Sequence, residues 1–148
     1  MESKNSNNLF FVCSLIEYIA RKTNNTKEYI VKKMSKALIE KIYSLAEVYH
    51  SDNIDKVSDE IISECQIKNG NYDIFTKTEN ENLPSYWDMG RVYQRLIAMC
   101  SKDESEYIDK LLEILTSWII KEFDNYDSSL YYENPSYIYE CYREGKIL

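Results

Sequence analysis

The stretch PSYWDMGRVYQRL, residues 84–96, carries the clearest helix signal in the chain. Ser85 follows a proline and precedes Asp88 by three residues, the spacing of a capping box, in which two side chains satisfy the first free backbone N–H groups of a helix. Apolar side chains then recur at helical spacing: Met89, Val92, Tyr93, Leu96, Ile97 and Cys100. The stretch therefore predicts an amphipathic helix that begins after Ser85 and buries one face.

Burial does not explain every residue of this predicted helix. Gly90 costs a helix interior about 1 kcal/mol relative to alanine, so it predicts a close backbone contact with another helix or with the C-terminal tail. Trp87 and Arg91 stand at i and i+4, a spacing at which side chains on a helix meet. We therefore expect the guanidinium of Arg91 to lie on the indole of Trp87.

Arg91 and Arg95 are also four residues apart. Like charges at that spacing destabilise a helix slightly unless an anion lies between them. Two interpretations stay open. The arginines form ion pairs with carboxylates of the C-terminal half, such as Glu133 or Glu140. Alternatively, they form an interaction hot spot with Trp87, because tryptophan and arginine are enriched in hot spots.

Helical periodicity extends over most of the remaining chain. The segments with apolar side chains at helical spacing are 9–20, 29–34, 38–49, 54–65, 108–123 and about 135–144. Only three glycines and two prolines occur in 148 residues, which is few for a protein built from many short strands and turns. The sequence therefore predicts an all-α fold, a compact bundle of six or seven helices.

Polar breaks separate the predicted helices. TNNT at 23–26 and HSDN at 50–53 interrupt the apolar pattern, and an Asn, Asp or Thr in each break can cap the next helix. The expected organisation is one helical domain, 1–148, with an N-terminal unit (1–65) and a C-terminal unit (85–148).

Residues 66–84 have no helical period and predict one long loop between these units. Asn69-Gly70 is a turn signal within it. We expect Tyr72, Ile74 and Phe75 to anchor the loop to the core, because they are its large apolar side chains.

The charge of the chain is unevenly distributed. The net charge is −7, but residues 1–41 contain eight Lys/Arg and four Asp/Glu, and the later residues are strongly acidic. An acidic surface repels phosphate backbones, so general nucleic-acid binding is not expected, and a basic protein is the more natural partner. No run of about 18 apolar residues predicts a membrane span. The polar start lacks a secretory pattern, so we expect a cytoplasmic protein.

The sequence presents no recognisable catalytic pair. His50 is the only histidine, and its place at the end of a predicted helix indicates an interaction with the helix dipole. A nucleophilic mechanism needs a partner within hydrogen-bond reach of the imidazole, and helix geometry points the adjacent Ser51 elsewhere. We therefore expect no catalytic residue.

No metal or cofactor site is predicted either. The four cysteines (Cys13, Cys65, Cys100 and Cys141) include no close pair of the kind that zinc sites use, which indicates buried reduced thiols. Acidic clusters such as Asp103-Glu104 lie on expected outer helix faces and lack a histidine three residues on. No glycine-rich phosphate loop is present.

The C-terminal tail is rich in tyrosine. Six of the chain's fourteen tyrosines lie in it: Tyr126, Tyr131, Tyr132, Tyr137, Tyr139 and Tyr142. Tyrosine offers a large contact area at low cost in side-chain entropy. The tail therefore either wraps the helical bundle or contacts a partner. Asn134-Pro135 and Gly145 mark the ends of a short final helix.

Residues 9–62 resemble a small bacterial family of unknown function whose genes often neighbour genes for ADP-ribosyltransferase-like toxins. The matching positions are Phe11, Cys13, Glu17, Tyr18, Tyr43, Tyr49 and His50. The second half, with WDMGRVYQRLI and NPSYIYECYREGKIL, is similar to uncharacterised proteins of low-GC bacteria. By analogy, the resemblance implies an antitoxin or accessory role.

Together these features favour a non-enzymatic interaction protein of bacterial or phage origin, such as an antitoxin, immunity or defence-related component. The predicted partner-binding residues are Trp87, Arg91, Arg95, Tyr131, Tyr132 and Tyr137. The expected partner is a basic protein or a toxin, and a homodimer is a further possibility. Two alternatives stay open: an enzyme with an unrecognised Arg/carboxylate/Tyr site, and an acidic inhibitor that mimics nucleic acid with a stripe from Asp103 to Glu144.

Overall fold

The computed structural model describes residues 3–74, 78 and 82–148. Within these residues the chain forms eight α-helices and no strand. The helices are α1 (Lys4–Thr23), α2 (Lys27–Ser44), α3 (Ala46–Ser51), α4 (Ile54–Glu64), α5 (Tyr86–Cys100), α6 (Tyr107–Leu115), α7 (Trp118–Asp124) and α8 (Pro135–Glu144). Two short 3₁₀ helices cover Glu104–Glu106 and Leu130–Tyr132. The predicted all-α bundle is confirmed.

The predicted division between the helices at 29–34 and 38–49 is confirmed, because α2 kinks sharply at Ser35, whose φ of 72° and ψ of 158° lie outside the helical region. A second break, which the apolar pattern did not predict, falls at Leu45 and separates α2 from α3. Thr26 caps α2 by accepting a hydrogen bond from the Tyr29 N–H.

The predicted long helix at 108–123 is two helices, α6 and α7. Thr116 and Ser117 separate them, and both hydroxyls donate to carbonyls of the preceding turn. The Thr116 hydroxyl lies 2.6 Å from the carbonyl oxygen of Leu112. Such local side-chain bonds compete with the helix ladder, so an apolar stripe that continues through them does not ensure a continuous helix.

The predicted start of α5 is confirmed. The Ser85 hydroxyl accepts from the Asp88 N–H at 3.0 Å, and the Ser85 N–H donates to the Asp88 carboxylate at 3.1 Å. Both halves of the capping box are therefore present.

The most extensive helix pair is α1 against α5, and Gly90 lies at its closest approach. A Cβ atom on Gly90 would lie 2.0 Å from Ser14 Oγ and 2.8 Å from Ser14 Cα. This contact confirms the predicted backbone approach to another helix. Gly90 is required because any side chain would push the two helices apart.

The connection after α4 docks on the turn between α1 and α2. The Gly70 N–H donates to the Thr23 carbonyl, and the Tyr72 N–H donates to the Asn24 carbonyl, both at 2.8 Å. Ile74 is buried as expected. The expected anchor Phe75 lies outside the described residues.

One hydrophobic core contains side chains of both predicted units. Val57 of α4 and Ile97 of α5 both belong to it. Cys13 and Cys141 are buried, and all four cysteines are free thiols. Among the described residues, no helix is long and apolar enough to cross a membrane.

Candidate functional site

The six predicted partner-binding residues do not form one surface. Arg95, Tyr131 and Tyr132 line the same cleft, whereas Arg91 lines a second groove on another side of α5. Trp87 packs beside that second groove, and Tyr137 lines a small cavity near the C-terminus. The structure therefore separates the residues that the sequence analysis grouped.

The first cleft, which we call the α5–tail cleft, lies between α5 and the segment Leu130–Tyr132 with the start of α8. Its volume is about 240 Å³. Its lining residues are Val92, Arg95, Leu96, Tyr131, Tyr132, Glu133, Asn134, Pro135 and Ile138. Its apolar residues Leu96 and Ile138 are buried, whereas its polar residues Arg95, Glu133 and Asn134 are exposed, as in the apolar centre and polar rim of a protein interface.

Tyr132 is the most exposed large hydrophobic side chain of this cleft. Its residue surface is 69% exposed, whereas that of the neighbouring Tyr131 is 8% exposed. The two ring centroids are 4.1 Å apart. Tyr131 also packs on Tyr126, with 5.9 Å between centroids. Tyr131 therefore anchors the pair to the core, and Tyr132 presents its ring to solvent.

Arg95 is exposed and forms no ion pair or hydrogen bond within the described part of the chain. The expected partner Glu140 lies instead 3.5 Å from Arg143. Glu133 lines the cleft with Arg95 but is not within ion-pair distance of it. The interpretation of Arg95 as an internal bridge is therefore wrong, and its guanidinium is available at the rim.

Arg91 has a different environment. Its Cζ lies 4.0 Å above the ring centroid of Phe10, and Nη1 donates to Gln94 Oε1 at 3.1 Å. We expected its guanidinium on the indole of Trp87, but Trp87 packs against Phe10 and His50, with centroids 5.5 and 5.4 Å apart. Arg91 and Trp87 thus hold α5 against α1 and α3.

Most of the other tail tyrosines contact the protein itself. Tyr137 donates its hydroxyl to the backbone carbonyl of Leu148. Tyr142 donates to Glu113 at 2.9 Å, and Tyr126 is buried. These contacts agree with a tail that wraps the bundle, and Tyr132 is the clear exception.

A cluster of buried charges, which the sequence analysis missed, lies between α1, α2, α5 and α7. Its centre is Glu17, a charged residue within the first predicted helix, which is fully buried. Tyr93 donates to Glu17 Oε1 at 2.6 Å, and Tyr126 donates to Oε2. Arg21 Nε lies 2.8 Å from Oε2, and Lys27 Nζ lies 3.5 Å from Oε1.

A second carboxylate completes this cluster. Lys27 is 3% exposed, and its Nζ lies 2.6 Å from Asp124 Oδ1. The same ammonium donates to the Tyr126 hydroxyl at 3.2 Å. Two carboxylates, of Glu17 and Asp124, therefore face two cations, of Lys27 and Arg21. Buried charges are tolerated when they are paired and hydrogen-bonded in this way.

The pKa shifts in the cluster argue against acid–base catalysis. Burial raises the pKa of Glu17, but the charges of Lys27 and Arg21 and the two hydroxyls outweigh burial and lower it to about 2. Burial raises the pKa of the Tyr126 hydroxyl, and Glu17 raises it further. A general base works best with a pKa near the working pH. The cluster is therefore suited to hold four helices together.

Several acids of the expected 103–144 stripe are engaged within the chain. Glu104 accepts from Ser3 and Asn5, at 2.6 and 2.8 Å. Asp109 lies 2.8 Å from Lys36. In the part of the chain that the structure describes, no group of three or more His, Cys, Asp or Glu side chains could hold a metal ion.

No protein-family model, no curated protein and no solved structure shows a significant match to this chain. The function is therefore argued from the geometry of the clefts and of the charged cluster.

Proposed function

We propose that this chain is a non-enzymatic protein-interaction module of bacterial or phage origin, with an antitoxin, immunity or defence-related role. Its partner contacts the α5–tail cleft. The observation that carries the proposal is the exposed ring of Tyr132 beside the unpaired guanidinium of Arg95. Tyrosine and arginine are two of the side chains that dominate interface energetics.

Met99 extends this surface along α5. It stands four residues after Arg95, so the two side chains lie on the same face of the helix. Met99 is 39% exposed, and methionine adapts its shape to different apolar neighbours. We call Arg95, Met99 and Tyr132 the contact surface.

The chemistry of the contact surface defines the partner segment. The free guanidinium of Arg95 is suited to a carboxylate, which it can bind in a bidentate manner. A cleft of about 240 Å³ is smaller than the roughly 300–1,000 Å³ of a typical small-molecule pocket. It suits one or two anchoring apolar side chains. The partner thus presents a carboxylate next to an apolar anchor, while the net charge of −7 favours a partner that is basic overall.

The charged cluster supports the non-enzymatic part of the proposal. It gathers an arginine, a lysine, two carboxylates and two tyrosine hydroxyls, the residue types that an Arg/carboxylate/Tyr enzyme site would use. Its central carboxylate is fully buried and its charges are balanced. A catalytic site must let its substrate reach such groups, and a fully buried carboxylate does not meet that requirement.

Affinity capture with matched variants tests this function. A tagged chain is used as bait in a lysate of its source organism, beside Arg95→Glu/Tyr132→Ala and the control Arg143→Glu. The control changes another exposed arginine, on α8 and outside the α5–tail cleft, whose side chain is 58% exposed. We expect the wild type and the control to retain one protein near unit stoichiometry. We expect the double variant to lose it. Capture that is equal for all three baits would contradict the proposal.

Light scattering on the purified chain separates an external partner from a second copy. A monomer at micromolar concentration agrees with an external partner. A dimer that dissociates in Arg95→Glu/Tyr132→Ala would make the contact surface a self-contact and would overturn the external partner.

A further inference from the structure

The second groove, which we call the aromatic groove, lies between α1, α3 and α5. Its volume is about 340 Å³, within the range of pockets that hold small molecules. It is separate from the contact surface, and the proposed function does not use it. Its walls combine the amides of Asn7 and Asn8, aromatic rings, two cations and the carboxylate of Glu47.

The buried amide belongs to Asn8. This residue is 5% exposed and lines the groove. Its side chain forms no hydrogen bond within residues 3–74, 78 and 82–148. A buried polar group without a partner is costly, and native proteins seldom retain one without a reason. Since Asn8 is not among the fully enclosed unpartnered groups, its amide opens toward the groove and can bind a ligand there.

The aromatic wall is formed by His50, Phe10 and Phe11. His50 stacks on Phe11, with 5.0 Å between ring centroids and 25° between ring planes. Phe11 is buried, whereas His50 is exposed. His50 also packs against Trp87, with 5.4 Å between ring centroids, so it is held between two aromatic rings and offers its exposed part as a contact for a planar ligand.

The cations are placed at two sides of the groove. Arg91 is held over Phe10, with 4.0 Å between Cζ and the ring centroid, and by Gln94. Lys4 has a side chain that is 68% exposed, and its nearest acid is Glu47 at 3.9 Å. Both cations line the groove, so an anionic group on the ligand has charge-assisted donors within reach.

We infer that the aromatic groove binds a planar nitrogen heterocycle that carries a phosphate, a ligand of the mononucleotide class. The Asn8 amide offers a donor and an acceptor side by side, the pattern with which asparagine recognises the edge of a nucleobase. The ring packs against the exposed part of His50, and Lys4 and Arg91 bind the phosphate. Each part of this ligand has a matching group in the groove.

Calorimetric titration of the full chain tests the inference. The probes are AMP, GMP, CMP and UMP, with adenosine and inorganic phosphate as partial ligands. We expect saturable binding of at least one nucleotide, tighter than binding of its nucleoside and of phosphate. The absence of saturable binding for all four nucleotides would overturn the inference. Equal binding of phosphate and nucleotide would overturn it as well, because the ring would then contribute nothing.

Two variants test whether the nucleotide binds in the aromatic groove. Asn8→Leu removes the amide at nearly constant volume, and we expect about tenfold weaker nucleotide binding, which corresponds to one or two hydrogen bonds. Urea unfolding checks that this variant is folded, and removal of an unpartnered amide should not lower its stability. Lys4→Ala changes an exposed side chain and should weaken nucleotide binding without weakening nucleoside binding.

Lys32→Ala is the matched control for Lys4→Ala. Lys32 has a side chain that is 66% exposed, its nearest acid is Glu28 at 3.7 Å, and it does not line the groove. We expect its nucleotide affinity to equal that of the wild type. If Asn8→Leu and Lys4→Ala also bind like the wild type, the ligand lies elsewhere and the inference is wrong.

Discussion

The hydroxyl of Tyr93 donates a hydrogen bond to Oε1 of Glu17 across 2.6 Å, and both side chains are fully buried. This bond joins α1 to α5 at their long contact. The same carboxylate binds Arg21 and Tyr126. The buried carboxylate of Glu17 therefore bonds to side chains from both halves of the chain and connects their helices.

Tyr93→Phe should destabilise the fold. The substitution keeps the ring, which packs on Phe123 at 5.6 Å, and removes one hydrogen bond to a charged group. Such a bond contributes about 1.5–3 kcal/mol. Urea unfolding measures the loss of unfolding free energy. Tyr132→Phe is the control, because Tyr132 is 69% exposed and removal of its hydroxyl should change stability by less than about 0.5 kcal/mol. Equal losses in the two variants would contradict the role of Glu17.

Acid should remove the stabilisation that ionised Glu17 provides. Against the opposing effect of burial, the charges of Lys27 and Arg21 and the hydroxyls of Tyr126 and Tyr93 lower the pKa of Glu17 from its ordinary 4.5 to about 2. A lowered pKa in the folded state means that the stabilisation is complete above about pH 4.5 and is lost as the pH falls toward 2. The shift corresponds to roughly 3 kcal/mol.

Urea unfolding between pH 5 and pH 2 measures that loss. Asp124 works in the opposite direction, because burial raises its pKa, so wild type is compared with Glu17→Gln, in which Asp124 is retained. We expect Glu17→Gln to be less stable at neutral pH and to lose less stability across the acidic range. An NMR titration of the Glu17 carboxyl in the wild type gives the midpoint directly. A midpoint near 4.5 would refute the assignment.

Gly90→Ala should destabilise the protein although alanine is the better helix former. The gain in helix propensity is about 1 kcal/mol, but the new Cβ would meet Ser14 Oγ at 2.0 Å and the Ser14 backbone at 2.8 Å. Overpacking of this kind typically costs about 1–3 kcal/mol, and backbone atoms cannot move aside cheaply. Thermal unfolding measures the net effect. A higher melting temperature in Gly90→Ala would show that α1 and α5 are not in such close contact.

Ser14→Ala provides the companion measurement. The Ser14 hydroxyl is buried and lacks a hydrogen-bond partner among the described residues. Removal of a buried, unpartnered polar group relieves a cost. We expect Ser14→Ala to be at least as stable as the wild type, and a large loss would mean that the hydroxyl has a partner.

The two arginines of α5 should respond differently to truncation. Arg91→Ala removes a guanidinium that lies over Phe10 at 4.0 Å and bonds to Gln94. We expect a loss of about 1 kcal/mol, or a melting temperature lower by about 2–4 °C. Arg95→Ala should stay within about 0.5 kcal/mol of the wild type. Equal losses in both variants would show that Arg95 is also an internal bridge.

Local signals in the sequence were sufficient to predict that the chain is helical and where α5 begins. The capping box of Ser85 and Asp88 and the stripe after it predicted α5 correctly, and the cost of Gly90 predicted a close helix contact. The division of the helices was less predictable. The break between α6 and α7 depends on hydroxyl bonds at Thr116 and Ser117, and an apolar stripe carries no information about those bonds.

The charged cluster could not be predicted from local patterns. Glu17 and Arg21 stand at i and i+4, a spacing that is equally typical of an exposed ion pair on a helix surface. Their remaining partners, such as Lys27 and Asp124, are distant in sequence and meet only when α2 and α7 pack. For the same reason, the sequence could not show that Arg91 and Arg95 have different environments. Arg91 packs on Phe10, which belongs to α1.

The affinity of the captured partner for purified variants tests the central claim most directly. The claim is that Arg95 and Tyr132 are the main anchors of a protein contact. Calorimetry or surface plasmon resonance gives Kd for the wild type, for Arg95→Ala/Tyr132→Ala and for the control Arg143→Ala. We predict at least a thirtyfold weaker Kd for the double variant, as expected for hot-spot side chains, and an unchanged Kd for the control. A double variant that binds within twofold of the wild type would contradict the account.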